Sequence, residues 1–219
     1  FSFYRKPGAD MMLGENEVDY DLIRQSKVFH FGTLSMTDEP VKSATKKALE
    51  VAKEAGCLIT FDPNLRPPLW DSLDDAKAQM EYGFERCDVL KISDNEIQFV
   101  SGMEDYDDGI HYLQEKYQIP LIFLTMGKEG SRAYYKDLIV EAKPFIQKNT
   151  IETTGAGDTF CACVLHYVLE HGLTDLTENG LKEMLTFANA AASIITTRKG
   201  ALRVMPEREE VEKLLSCFN

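Results

Sequence analysis

Four short apolar runs, at 27–31, 57–61, 88–92 and 120–124, constrain this chain more than any other feature. They are rich in Val, Ile, Leu and Phe and are bounded by turn residues, as strands buried on both faces are. Segments of helical period follow them at 41–55, 73–84, 94–100 and 109–117. A β-α-β-α order requires crossover connections, and these give a mostly parallel sheet with helices on both faces, an α/β three-layer sandwich. Gly56 stands where the helix over 41–55 should end, and Pro67-Pro68 and the 127–130 stretch punctuate loops. Segments 131–135 and 138–142, joined by Lys136-Asp137, read as a hairpin. The last third turns helical at 155–170, 181–196 and 208–215. With no repeat, low-complexity segment or linker, the reading is one domain over 1–219: an α/β core at 15–219 and opening strands at 1–14.

The 219 residues suffice for one sizeable core, and 44% hydrophobic with 27% charged residues reads as globular. A formal net charge of -12 argues against nucleic acid and against an anionic membrane surface as partners. It leaves room for a phosphorylated small molecule, whose affinity is set by local groups. Cys57, Cys87, Cys161, Cys163 and Cys217 are odd in number and form no Cys-x-x-Cys pair, so reduced thiols in a cytoplasm are expected. The four histidines have no metal-ligand spacing. No apolar run reaches membrane-span length and no signal peptide is visible. The opening FSFYRKPGADMML reads as a strand already under way, so further sequence upstream is expected.

The strongest local signal is Thr153-Thr154-Gly155-Ala156-Gly157-Asp158-Thr159-Phe160, a small-residue loop running straight into a helix. Glycines let backbone approach a ligand closely. A helix's first turn presents free N–H groups under a favourable dipole, so Gly155, Ala156 and Gly157 suit phosphoryl oxygens. Asp158, at the head of the same helix, stays ionised and suits the weak base that phosphoryl transfer needs. The plainer alternative is a helix start whose Asp complements the dipole. No Gly-Lys-Ser/Thr follows, so this is not a Walker A loop.

That octapeptide resembles the signature of the ribokinase-like (PfkB) carbohydrate kinases, (D)TTGAGD(T)F, and lies where the family places it. The resemblance covers essentially the whole chain, while family members carry roughly a further third upstream. It implies a ribokinase-like fold with a small β lid, of which 1–14 is a remnant, and an ATP- and Mg2+-dependent transfer to a sugar hydroxyl. Asp158 is then the catalytic base and 155–157 the anion hole.

Other segments resemble the same family. Asp62-Pro63-Asn64-Leu65-Arg66 resembles D-x-N-x-R, which implies Arg66 on phosphate and Asn64 on substrate; an ion pair between Arg66 and Asp62 is the ordinary alternative. Ser93 and Glu96 stand where the family has N-x-x-E, with Ser in the Asn position, implying a role around magnesium through water; the same pair also reads as a helix capping box. Thr125-Met126-Gly127-Lys128-Glu129-Gly130 resembles T-x-G-x-x-G, implying that Thr125, Gly127 and Gly130 run beside the nucleotide, with Lys128 a solvated loop lysine or a phosphate contact. Asn189, in a run of small helical residues, implies an adenine neighbour or simply close helix packing. Glu152 stands at the acid of the family's K+ site, with 197–201 as the partner loop. Phe3 and Arg5 resemble the sugar-covering lid of the fructokinases within the family, against an exposed edge strand as the alternative. The implied substrate is fructose. The other readings are a kinase of 2-keto-3-deoxygluconate, ribose, a nucleoside or phosphofructose, and a non-catalytic sugar- or nucleotide-binding regulator. A homodimer is implied by analogy.

Overall fold

Each apolar run does form a strand, but every one starts and ends one residue later than its apolar stretch. The structure, a computed structural model, describes residues 7–217. Its elements divide between two compact units, Phe1–Ile122 and Phe123–Asn219.

In the first unit a short helix α1 (Tyr20–Arg24) is capped by Asp19, whose carboxylate accepts from Leu22 N–H at 2.9 Å. Strand β1 (Val28–Gly32), helix α2 (Val41–Glu54), strand β2 (Leu58–Asp62), helix α3 (Leu73–Phe84) and strand β3 (Val89–Ser93) follow. The three strands are parallel, with Val28 opposite Leu58 through Gly32 opposite Asp62, and Phe61 opposite Leu90. Helices α4 (Asp94–Ser101) and α5 (Tyr106–Tyr117) complete the unit. α5 begins three residues before its predicted start because Asp105 caps it, accepting from Asp108 N–H at 3.0 Å. Gly109 lies inside α5 because the helix crosses α4 closely: a Cβ there would stand 2.9 Å from Ile97 Cγ1.

A line of rings forms the core of this unit. Phe31 stacks on Phe61 at 4.6 Å, Phe61 meets Phe84 edge-on at 5.8 Å, and Phe84 meets Tyr117 at 5.5 Å. β2 and β3 are buried almost throughout, whereas β1 buries only Phe31 fully.

Strand β4 (Leu121–Thr125) runs across the boundary between the units. The second unit holds the hairpin β5 (Ser131–Tyr135) and β6 (Leu138–Ala142), antiparallel on the predicted bounds, with Ser131 opposite Ala142 through Tyr135 opposite Leu138. Helices α6 (Ala156–His171), α7 (Glu178–Ile195) and α8 (Arg208–Ser216) follow. Phe160 of α6 packs edge-on against Phe123 at 6.4 Å. Small residues of α7 let elements pack closely: Ala190 and Ala191 lie against Val211 of α8, walled by Phe145, Phe187 and Leu214.

The strands are thus mixed, parallel in the first unit and an antiparallel hairpin in the second, within an α/β fold. The opening strands predicted at 1–14 fall partly outside the described residues. Within them, Ala9–Met11 is a turn of 3-10 helix rather than a strand. All five cysteines are free thiols.

Candidate functional site

Two loops carry the candidate chemistry, one in each unit. In the first unit, β2 delivers Asp62 and the chain then turns through Pro63, Asn64, Leu65 and Arg66. Asn64 adopts a left-handed conformation at φ 50°, which Asn tolerates better than most residues. Asp62 is 5% exposed and pairs with Lys91 of β3, Nζ to Oδ2 at 3.1 Å and to Oδ1 at 3.2 Å. Pro63 C=O accepts two bonds from Thr33, from N–H at 3.2 Å and from Oγ1 at 2.5 Å. Leu65 N–H donates to Glu96 Oε1 at 2.7 Å, while Glu96 Oε2 accepts from Ser93 N–H at 2.9 Å. Gly32 closes in behind the turn, where a Cβ would stand 2.6 Å from Asp62 C=O.

This geometry bears on the alternatives for these residues. Asp62 pairs with Lys91, and among the described residues Arg66 makes no ion pair; its Nη1 donates to its neighbour's C=O, Leu65, at 3.0 Å. The helix-cap reading of Ser93 and Glu96 accounts for one oxygen of Glu96. The other oxygen holds Leu65, which no capping motif implies. Asn64, Arg66, Ser93 and Glu96 are therefore brought together.

Lys91 and Thr33 were not singled out in the sequence. The signal for Lys91 was a lone lysine inside a buried strand, at the position following the Phe61–Leu90 pair, beside the Asp that ends the neighbouring strand. Thr33 offers no comparable signal, because its partner is a backbone carbonyl thirty residues away.

In the second unit, Gly155 is the cap of α6, left-handed at φ 80°, and is buried. A Cβ on it would meet Ile195 Cδ1 at 3.0 Å and Ala201 Cβ at 3.5 Å. Thr159 N–H closes the first turn on Gly155 C=O at 2.8 Å, so Gly157 and Asp158 supply amides ahead of that bond. Ala156 N–H turns back to Thr153 C=O at 3.2 Å, so one of the three predicted anion-hole amides is engaged locally. Asp158 lies in the first turn of a 16-residue helix, exposed. Glu152 meets its predicted partner loop, its Oε1 accepting from Gly200 N–H at 2.6 Å. Glu152, 155–158 and 200–201 thus gather at one end of α6.

The Thr125 loop is closed by Met126 N–H to Gly130 C=O at 2.9 Å. Gly127 and Gly130 are left-handed at φ 53° and 101°, and a Cβ on Gly130 would stand 2.2 Å from Ala142 C=O. That same carbonyl accepts from Asn189 Nδ2 at 3.1 Å. Asn189 also donates to Lys143 C=O at 3.1 Å and accepts from Ser131 Oγ at 2.9 Å. Its amide is spent on tying α7 to the hairpin, which favours the packing reading. Lys128 is exposed. Phe3 and Arg5 lie outside the described residues.

The pfkB family carbohydrate kinase model matches residues 1–208. The chain belongs to that family. Probable fructokinase-4 of Arabidopsis thaliana is 41% identical over 215 residues, which are 98% of this chain and 66% of that protein. The chain spans 62–66% of the lengths of the curated relatives it matches first. Among solved structures, the fructokinase of Xylella fastidiosa with bound ATP superposes with a TM-score of 0.89 at 26% identity, covering 99% of this chain and 70% of that one. The Vibrio cholerae O395 fructokinase bound to fructose, ADP and calcium gives 0.83 at 26% identity, covering 96% and 67%. The ribokinase-like architecture implied by the signature is thereby established for this pfkB-family chain. No helix among the described residues is long and apolar enough to cross a membrane.

Proposed function

We propose that the full-length protein transfers the γ-phosphoryl group of ATP to a hydroxyl of fructose, with Asp158 as the base. The observation that carries this reading is Asp158 in the first turn of α6, exposed, in a helix start that left-handed Gly155 opens and in which the Ala156 N–H alone of 155–157 turns back to the loop. The similarity to proteins named fructokinases supports fructose over the other acceptors.

In this reading the fructose O–H gives its proton to Asp158 as its oxygen bonds to the γ-phosphorus. The bond from that phosphorus to the bridging oxygen of ADP breaks, and the amides of Gly155 and Gly157 hold the charge that develops. Arg66 balances phosphate charge and Asn64 binds the sugar. The loop of Thr125, Gly127 and Gly130 runs beside the nucleotide, and Phe3 and Arg5 cover the sugar. Each oxygen of Glu96 already accepts one amide, so its remaining lone pairs fit a water on magnesium better than the ion itself. Magnesium, when bound, neutralises the phosphates. Glu152, one oxygen of which accepts from Gly200 N–H, would offer its other oxygen to a monovalent cation. We read the protein as cytoplasmic and as a homodimer by analogy with the family.

A coupled ADP-release assay on the full-length protein, with ATP-magnesium and fructose, ribose, glucose, 2-keto-3-deoxygluconate and adenosine, tests this. Turnover dominated by fructose is expected. Turnover dominated by another acceptor would reassign the substrate, and ATP binding without turnover would favour the regulator.

A further inference from the structure

The buried polar side chains of the first unit, among the described residues, are Thr33, Thr60, Asp62, Lys91 and Glu96. All but Thr60 belong to, or bond to, the five residues 62–66. Burying a charge is unfavourable unless it is paired, and a buried ion pair is seldom the most stable filling for its space. Three buried polar groups, from the end of β1, from β3 and from α4, here converge on three successive points of one turn. Lys91 fixes Asp62, Thr33 fixes Pro63 and Glu96 fixes Leu65. The turn they fix holds Asn64 in the sparsely populated left-handed region at φ 50°. What it presents is equally specific. Among the described residues the side-chain amide of Asn64 has no hydrogen-bond partner, and the guanidinium of Arg66 bonds only the carbonyl of Leu65.

We propose that Thr33, Lys91 and Glu96 are positioning residues, a three-point clamp that preorganises 62–66 so that Asn64 and Arg66 are held ready for substrate. This deepens the kinase reading above and rests on it. Thr33 and Lys91 touch no reacting atom and act through Arg66, whose planar fork must be aimed to contact phosphate on two of its nitrogens; Glu96 shares that role beside the magnesium-bound water proposed for it. A residue that only stabilised the fold would lower activity whatever stood at position 66.

The test is a double-mutant cycle on the full-length protein, with Thr33→Val and Arg66→Ala singly and together. Thr33→Val keeps the shape and removes the hydroxyl bond to Pro63. It is expected to lower kcat about tenfold, with KM for ATP within about twofold, since small misplacement of a positioned group is costly. In the Arg66→Ala background the same change is expected to cost less than about twofold. Thr33→Ser, which keeps the hydroxyl, should return kcat to within about twofold of the parent. Hydrogen exchange at the Leu65 amide supplies a readout independent of activity, and Thr33→Val should speed it at least about tenfold. Should Thr33→Val fail to fold, Lys91→Met takes its place in the same cycle. An undiminished tenfold loss in the Arg66→Ala background, or unchanged exchange at Leu65, overturns the clamp. A parent protein that phosphorylates no sugar overturns the kinase reading and the positioning role with it. Exchange at Leu65 that still depends on Thr33 would identify that case.

Discussion

The two candidate loops are built in opposite ways. The loop at 153–158 is shaped by its own backbone: a left-handed Gly155 packed against Ile195 and Ala201, and a helix that starts at once. The loop at 62–66 is shaped by side chains brought from elsewhere, Thr33, Lys91 and Glu96. A loop shaped by one glycine has a single point of failure. A loop held at three points should degrade in steps. The first kind writes itself into a short contiguous sequence, and the second is scattered over sixty-four positions from Thr33 to Glu96.

That contrast sets the predictions. Gly155→Val forces a β-branched residue to φ 80° and drives its Cβ into Ile195. It is expected to cut full-length kinase activity at least about a hundredfold, measured as kcat for fructose. Retention of more than a tenth of the activity would break the backbone-built account. Asn189→Ala leaves the Ala142 and Lys143 carbonyls and the Ser131 hydroxyl without their partner. Urea unfolding should register a loss of about 2–4 kcal/mol. Glu96→Gln keeps one oxygen acceptor and places a donor against the other amide, so the first loop should lose about 1–2 kcal/mol by the same measurement. A loss as large as that for Asn189→Ala would mean the clamp does not share its load. The smallest effect concerns the thiols. Burial pushes the Cys163 thiol up to about 11, with Arg208 opposing, whereas Cys217 is exposed. Only about one Cys163 in a thousand is thiolate at pH 8, so a disulfide reagent should modify Cys217 at least about tenfold faster, with the Cys163 rate rising as pH approaches 11.

Much of the fold was legible because apolar runs and turn residues are local signals. The hairpin at Ser131–Tyr135 and Leu138–Ala142 and the helix Leu73–Phe84 come out as read. The four strands β1 to β4 slip by one in the same way: each continues through one residue after its apolar run, Gly32, Asp62, Ser93 or Thr125. In three of the four, that residue opens or belongs to a candidate site segment, at the carboxyl end of the strand where α/β proteins place chemistry. Hydrophobicity marks where the core stops, not where the backbone ladder stops. Helix starts were lost where a cap outweighs periodicity, as at Asp105 and Thr177. The glycine signature named its residues by itself. Asn189 was ambiguous because a small-residue helix face reads the same whether it borders a ligand or a hairpin. Thr33 was invisible, since a threonine that bonds a distant carbonyl looks like any other.

In the proposed reaction Asp158 removes the proton during phosphoryl transfer. The most direct measurement is single-turnover kinetics of full-length Asp158→Asn beside the parent, with fructose and ATP-magnesium, and with ATP affinity measured separately. The expected rate is lower by about a thousandfold, with ATP affinity changed by less than about threefold. A rate within tenfold of the parent would contradict it and remove Asp158 from the base role.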